Sequence, residues 1–277
     1  MAQLQRKKQE SKQELLTIST DEKFAGSLKY ILRRLSEFVK NGGISAELCE
    51  KPGRLDLAVA VNYSKDLNSA DMDENRISTE KLLDLITDCI ADVVITDYKF
   101  HYIESSIKLP IEDEISRHAF IKALSNFDSD TDKEIAKSLI KLTPVFLLDS
   151  FYQFMIDDLR ARWNEVCVLA NENASYLVCT GTFRELLRFL ISNLESRERE
   201  IHLFESKGGI EVLTSCLKPV SNIYVNEDLA PDVKVISKLI SIAPKKIYLH
   251  QNADNQKLPI FDFIQTLFSG CVQIMRT

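Results

Sequence analysis

The chain has 277 residues, of which 45% are hydrophobic and 27% charged, and its net charge is −6. This composition is typical of a globular protein that is long enough for one large domain or two ordinary ones. The negative net charge argues against general binding to DNA or anionic membranes. The sequence contains no run of 18 apolar residues, so we predict no transmembrane helix.

The six cysteines argue against a metal or disulfide framework. No two of them form a CxxC pair, and their spacing fits neither a zinc site nor the disulfide pattern of a small secreted domain. We expect Cys49, Cys89 and Cys167 to be buried as small hydrophobic residues. The N-terminus lacks the apolar core of a signal peptide, so we predict a reduced, cytoplasmic protein.

The first 64 residues predict a flexible arm and a small βαββ unit. Residues 1–13 carry four basic side chains among polar ones, which is typical of a solvated terminus. Binding of nucleic acid by this arm is the alternative, and the acidic body argues against it. Residues 14–64 then alternate between strand and helix patterns, with strands at 15–19, 44–50 and 55–63 and a helix at 22–40.

Residues 78–200 predict a central helical body. Its helices begin at residue 78, before residue 115 and at residue 133, where the acidic run 128–132 supplies caps. The run lacks the central Gly and final Glu of a calcium loop, so it predicts no metal site. We place the core in 147–195, where Asp149 is the predicted N-cap of one long helix that contains Phe151 and Trp163.

Residues 201–277 predict a β-hairpin followed by an α/β segment. Strands at 201–206 and 210–214 flank a Lys-Gly-Gly turn. A helix that Asp228 caps, with Pro231 near its first turn, continues to Ala243 and leads to a strand at 245–250. A helix at 258–268 and a last strand at 271–275 complete a βαβ unit, which predicts a parallel strand pair. The fold class is therefore α+β, and whether the strands of both ends share one sheet stays open.

The best candidate site lies at the end of the strand 245–250. Ligands of α/β sheets bind beyond the carboxyl ends of parallel strands, and His250, Asn252 and Asp254 follow this strand. These three residues are the candidates for a small-ligand or enzyme site. The sequence offers no partner for His202, and His101 and His118 are interpreted as structural or surface residues. Arg160, Arg162, Arg184 and Arg188 are interpreted as solvated helix faces.

Four stretches resemble the YtxC-like family of sporulation proteins. They are CIADVVITD at 89–97, LDSFYQF at 148–154, FRELLRFL at 183–190 leading into EIHL at 200–203, and LISIAPKKIYLH at 239–250. The chain differs from the family pattern at Ser150, where we expect Gly, and at Gln153 and Met155, where basic residues are common.

The resemblance implies a cytoplasmic protein of a spore-forming bacterium with a role in or near sporulation. It implies no established activity, so no site residues are taken from it, and the residues themselves predict no metal and no cofactor. The first hypothesis is therefore a non-enzymatic protein that binds an unknown protein partner or self-associates, with no nucleic-acid or membrane partner. The alternative is a small-ligand binder or enzyme with its site next to His250.

Overall fold

The computed structural model describes residues 11–40, 44–63, 79–179, 182–206, 209–220, 223–251 and 258–276. The chain divides into two compact units, one built from residues 1–93 and 134–156 and the other from residues 94–133 and 157–277. Residues of the predicted central helical body, 78–200, thus occur in both units. No described helix combines the length and the apolar character that crossing a membrane requires.

The first unit contains a four-stranded sheet with the strand order β2-β3-β1-β4. β1 pairs antiparallel with β3 and parallel with β4. The elements of this unit are β1 (Ser11–Asp21), α1 (Ala25–Lys40), β2 (Ile44–Lys51), β3 (Arg54–Tyr63), α2 (Thr79–Val93), β4 (Val145–Leu147) and α6 (Leu148–Phe154). Residues 11–13 of the predicted flexible arm therefore belong to a strand, while 1–10 lie outside the described residues.

Alternating apolar residues explain why this sheet forms. Leu16 and Ile18 of β1 and Leu57 and Val59 of β3 are buried, and the intervening residues point to the other face of the strands. The turn between β2 and β3 needs Gly53, whose φ is +72°. The predicted βαββ unit is present, and β4 extends it by a short parallel strand that the sequence analysis did not predict.

Asp149 does not cap a long helix. It lies in the first turn of α6, after the N-cap residue Leu147. Its carboxylate accepts hydrogen bonds from Thr20 Oγ1 (3.2 Å), the Asp21 N–H (3.1 Å) and Arg54 Nη2 (2.9 Å). The predicted N-cap role is therefore wrong, and the side chain instead connects α6 to β1 and β3 within the first unit.

The second unit contains most of the helices and a second sheet with the strand order β6-β5-β7-β8. β5, β7 and β8 are parallel neighbours, and β6 is antiparallel to β5. Its elements are α3 (Lys99–Ser106), α4 (Glu114–Asn126), α7 (Asp157–Cys179), α8 (Phe183–Ser192), β5 (Glu200–Ser206), β6 (Gly209–Thr214), α9 (Pro231–Ile242), β7 (Lys246–Gln251), α10 (Pro259–Leu267) and β8 (Val272–Arg276). The α+β class is confirmed, and so is the parallel pair β7 and β8.

The strands of the two ends do not share a sheet. The described strands form two separate four-stranded sheets, because β1, β2 and β3 pair only with one another and with β4. The described strands of the two ends therefore do not form the single sheet that the sequence left open. Each sheet has buried apolar residues at alternate positions of its inner strands, such as Ile201 and Leu203 of β5 and Ile247 and Leu249 of β7.

Two features interrupt the helices. A π turn, Val94–Tyr98, lies between α2 and α3, and π turns occur often at functional sites. The predicted long helix that contains Phe151 is two helices, α6 and α7, with Met155 and Ile156 between them. Phe154 and Met155 are exposed, so the predicted core in 147–195 is wrong at these two positions.

One helix, α5 (Ser129–Leu139), contributes residues to both units. It begins four residues earlier than predicted, so that Asp132 is in its first turn and not before it. Asp132 is buried and accepts hydrogen bonds from Lys99 Nζ (2.7 Å) and Trp163 Nε1 (2.8 Å). The acidic run therefore supplies a counter-charge to the core of the second unit.

Candidate functional site

The carboxyl end of β7 is the site that the sequence analysis predicted. His250 is the next-to-last residue of this strand and is partly buried. Asn252 and Asp254, the other two predicted residues, lie outside the described residues. Of the predicted set, the structure therefore places only His250.

His250 pairs with a second histidine. Its Nε2 atom lies 2.9 Å from Nδ1 of His202 on the neighbouring strand β5. His250 stacks on Phe204 with ring centroids 3.9 Å apart, and His202 stacks on Tyr248 at 4.8 Å. The parallel register explains this arrangement, because it places His202 opposite Tyr248 and Phe204 opposite His250. The expectation that His202 has no partner is wrong.

The imidazole pair can share one proton. A short N···N contact needs one donor and one acceptor, so at most one of the two facing nitrogens carries a hydrogen. Burial lowers the pKa of His250, and the neighbouring His202 lowers it further. Nδ1 of His250 is buried and has no hydrogen-bond partner among the described residues. The pair can therefore donate or accept a proton or bind a polar group.

A larger feature lies at the opposite ends of the same strands. A groove of about 730 Å³ opens next to the connections that lead into β7 and β8 and next to α8. This volume is within the range of ligand and peptide sites. Its apolar lining is formed by Phe189, Ile191, Leu194, Pro244, Leu267 and Phe268. Cys271 also lines it, and its thiol donates to the Phe268 carbonyl at 3.3 Å.

Backbone hydrogen bonds fix the walls of this groove. α9 ends at Ala243, which has the left-handed conformation (φ 46°, ψ 58°), and Pro244 prevents the helix from continuing. The segment before β5 then pairs with this region, since Arg197 N–H donates to Ile242 O (2.9 Å) and Lys246 N–H donates to Arg199 O (3.0 Å). Backbone segments that are fixed by hydrogen bonds therefore form this side of the groove.

Positive charge surrounds the groove. Arg188 and Lys245 line it, and Lys245 also lines an adjacent depression that includes Arg197 and Arg199. Arg197 is engaged by Asp130 at 2.9 Å, and Glu198 is the one acid among the residues lining the two depressions. Nε of Arg188 is buried without a hydrogen-bond partner among the described residues. An acceptor that enters the groove would supply that partner.

This groove could not be predicted from the sequence, for a physical reason. Arg188 was interpreted as part of a solvated face, whereas it is half-buried at the groove. The lining comes from α8 and from the connections before β7 and β8, which are far apart in the sequence. The signal that was available is the exposed Phe189, because an apolar residue of its size that is 63% exposed is often part of a binding surface.

The described residues contain no group of three or more His, Cys, Asp or Glu side chains that could hold a metal ion. Cys89 and Cys167 are buried as expected, whereas Cys49 is exposed because it lies on the outer strand β2.

Comparison with protein families gives a match over most of the second unit. The model of the YtxC-like family matches residues 84–273, which is more than half of the chain. The matched part begins within α2 and ends within β8, so it includes the groove and the imidazole pair. Searches of curated proteins and of solved structures gave no match.

Proposed function

Because the chain belongs to the YtxC-like family, we propose that it is a cytoplasmic, sporulation-associated protein that acts by binding a protein partner and not by turning over a substrate. The binding surface in this proposal is the groove together with its basic rim. The occupant is an acidic segment of the partner that carries at least one large apolar side chain.

The observation that carries the proposal is the charge of the groove within an acidic chain. The whole chain has a net charge of −6, yet Arg188 and Lys245 line the apolar groove and Arg199 lines the depression beside it. No carboxylate among the described residues lies within ion-pair distance of these three cations. An acidic partner would supply the missing counter-charges, and an apolar side chain would fill the lined volume.

The stretches that resemble the family also supply this surface. FRELLRFL at 183–190 contributes Arg188 and Phe189, and LISIAPKKIYLH at 239–250 contributes Pro244 and Lys245. The same residues therefore motivate the family resemblance and form the groove.

Photocrosslinking tests which surface meets the partner. A benzophenone amino acid is placed at Phe189, and a second version of the full-length protein carries it at Leu169, an exposed position on α7. In sporulating cells we expect a specific adduct from position 189 and none from position 169. An adduct with a second copy of the chain, or equal adducts at both positions, would contradict the proposal.

Charge reversal then tests the chemistry with the purified partner. Arg199→Glu combined with Lys245→Glu should weaken binding by about tenfold or more, and increasing salt should weaken the wild-type complex. The matched control is Lys108→Glu combined with Lys218→Glu, two exposed lysines of the same unit. Equal affinities of the two double variants would overturn the groove as the binding surface.

A small-ligand site at the imidazole pair is the second candidate function. It is favoured by the buried Nδ1 of His250, which has no partner among the described residues. Mass spectrometry of the protein purified under native conditions tests it, with His250→Phe as the comparison because Phe keeps the stacking on Phe204. A small molecule that co-purifies with the wild type and not with the variant would favour this function over partner binding.

A further inference from the structure

A second cavity lies among the helices of the second unit, away from the imidazole pair in sequence and in lining. It has a volume of about 110 Å³ and is bounded by the π turn with α3, by α4, by α9 and by residues 224–229. Six ionisable side chains line it: Asp97, His101, Glu104, His118, Lys122 and Tyr224. Buried ionisable groups that converge on a cavity are typical of a ligand site.

The acidic side chains of this cavity already have partners. Tyr224 Oη donates to Asp97 Oδ2 at 2.9 Å, and His101 Nε2 lies 3.5 Å from Asp97 Oδ1. His101 Nδ1 lies 3.4 Å from Glu104 Oε2, and Arg117 lies 3.8 Å from the other oxygen of Glu104. Both carboxylates on the cavity wall therefore already have polar partners.

Two hydrogen-bond donors on α4, Lys122 and His118, lack such partners in the described part of the cavity wall. Lys122 is only 3% exposed, and no described carboxylate lies within ion-pair distance of its ammonium group. His118, one helical turn earlier, has a buried Nε2 without a hydrogen-bond partner among the described residues. Both side chains line the same cavity. Asp97 favours the charged form of Lys122 from a longer distance. A buried ammonium group without a carboxylate in direct contact is costly, so we expect an acceptor to complete the site.

The pKa values of Lys122 and His118 are both lowered, as expected for buried groups without a directly contacting carboxylate among the described residues. The pKa of Lys122 is lowered to about 8, by burial first and then by Arg197, while Asp97 acts in the opposite direction. The pKa of His118 falls to about 4, through burial first and then through Lys122. At pH 7 the α4 side of the cavity therefore presents an ammonium group and a neutral imidazole.

We propose that Lys122 and His118 bind a small oxyanion, a carboxylate or phosphate group, in this cavity. The oxyanion accepts a charge-assisted hydrogen bond from Lys122 and a second hydrogen bond from Nε2 of His118. Asp97 and Glu104 are directed to other donors, so the ammonium group of Lys122 remains available to the oxyanion. The small volume restricts the ligand to the oxyanion group with a short attached chain. This inference is independent of the groove and of the partner proposed for it.

The first test measures the thermal stability of the full-length protein with acetate, phosphate or chloride at equal ionic strength. We expect acetate or phosphate to raise Tm above its value in chloride, and the two arms distinguish a carboxylate from a phosphate. Lys122→Met removes the buried charge, so its Tm in chloride should exceed that of the wild type, and the oxyanion-specific rise should disappear. The control Lys218→Met should respond like the wild type.

The second test uses only the wild-type protein, so it does not depend on whether a variant folds. Lysines are methylated with formaldehyde and cyanoborohydride, and modification of Lys122 and of the exposed Lys218 is followed by mass spectrometry. At an oxyanion concentration about ten times Kd, modification of Lys122 should slow roughly tenfold, because only the unoccupied fraction reacts. Lys218 should be unaffected.

Equal effects of oxyanion and chloride on Tm and on Lys122 labelling would mean that only water occupies the cavity, and the proposal would be overturned. An oxyanion effect of equal size in the wild type and in Lys122→Met would place the binding elsewhere and would overturn it as well.

Discussion

The ammonium group of Lys99 is buried in the second unit and has one carboxylate partner. Its Nζ donates to Asp132 Oδ2 and to the Phe127 carbonyl, both at 2.7 Å, and Trp163 Nε1 donates to the same carboxylate oxygen. Lys99 and Asp132 are each 2% exposed. Burial lowers the pKa of Lys99, and Asp132 opposes that shift by favouring the charged form. Asp132 therefore offsets much of the desolvation penalty of the buried ammonium group of Lys99.

We expect Asp132→Asn to lower the free energy of unfolding by about 3 kcal/mol, because the buried ammonium group loses its counter-charge. Urea unfolding followed by the fluorescence of Trp163, the single tryptophan, measures the change. The matched control is Asp128→Asn, an exposed acid with positive φ that Asn tolerates, and it should change stability by less than about 0.5 kcal/mol. Similar losses in both variants would contradict the assigned role of Asp132.

His118 should make stability depend on pH below 6.5. Its folded pKa is lowered to about 4 by burial and by Lys122, while Glu104 acts in the opposite direction. The unfolded chain, with a histidine pKa near 6.5, binds more protons in this window, so stability is retained above pH 6.5 and is lost as the pH falls towards 4. His118→Phe, which keeps a ring beside Phe100, should remove about 2–3 kcal/mol of this loss. The free energy of unfolding is measured with urea at several pH values in chloride buffer. Parallel stability–pH profiles of the wild type and His118→Phe would contradict the prediction.

Ala243 is an element-scale feature, since it ends α9 in the left-handed conformation. A residue with a Cβ atom is strained there, whereas Gly is not. We therefore expect Ala243→Gly to stabilise the protein by about 0.5–1 kcal/mol, although Ala→Gly usually destabilises a helix. The control is Ala123→Gly inside α4, which should be destabilising by at least about 1 kcal/mol. Destabilisation by both substitutions would show that the end of α9 carries no such strain.

At the same scale, the sequence predicts long periodic elements well and short or interrupted ones poorly. α1 and α9 were predicted within a few residues, because each has a full apolar face and an N-terminal or C-terminal signal. β4 has only three residues, which is too few for an alternating pattern to be recognised. The separation of α6 from α7 was missed because the apolar spacing continues through Phe154 and Met155, although both are exposed.

At the scale of the whole molecule, the chain passes between the two units three times, after residues 93, 133 and 156. Each unit has its own sheet. We expect Asp149→Ala, which removes the hydrogen bonds to Thr20, Asp21 and Arg54, to destabilise the first unit by about 1–2 kcal/mol. Hydrogen exchange of the full chain should then show faster exchange in β1 and β3 than in the wild type.

The strands β5 and β7 are the internal control for that experiment, because they belong to the second unit. Their exchange rates should change much less than those of β1 and β3. Equal acceleration in both sheets would mean that the two units unfold as one cooperative structure.

The sites were less predictable than the fold because they depend on contacts between distant segments. His250 was singled out from its position on a strand, but its pairing with His202 needs the register of β5 and β7. Lys122 looks like any lysine of an amphipathic helix until α3, α9 and Tyr224 surround it. Local periodicity contains no information on which distant residues meet, so neither the groove nor the oxyanion cavity was predicted.

Cys271 allows occupancy of the groove to be measured without any substitution. Its half-buried thiol lines the groove, and burial raises its pKa, so alkylation at neutral pH should be slow and limited by access. A partner segment lying over the thiol would slow that reaction further, while the exposed Cys49 and Cys216 would react at unchanged rates in the same tube. The chain thus carries a native chemical reporter of groove occupancy, with two internal standards, that can be followed in cell extracts before any partner has been identified.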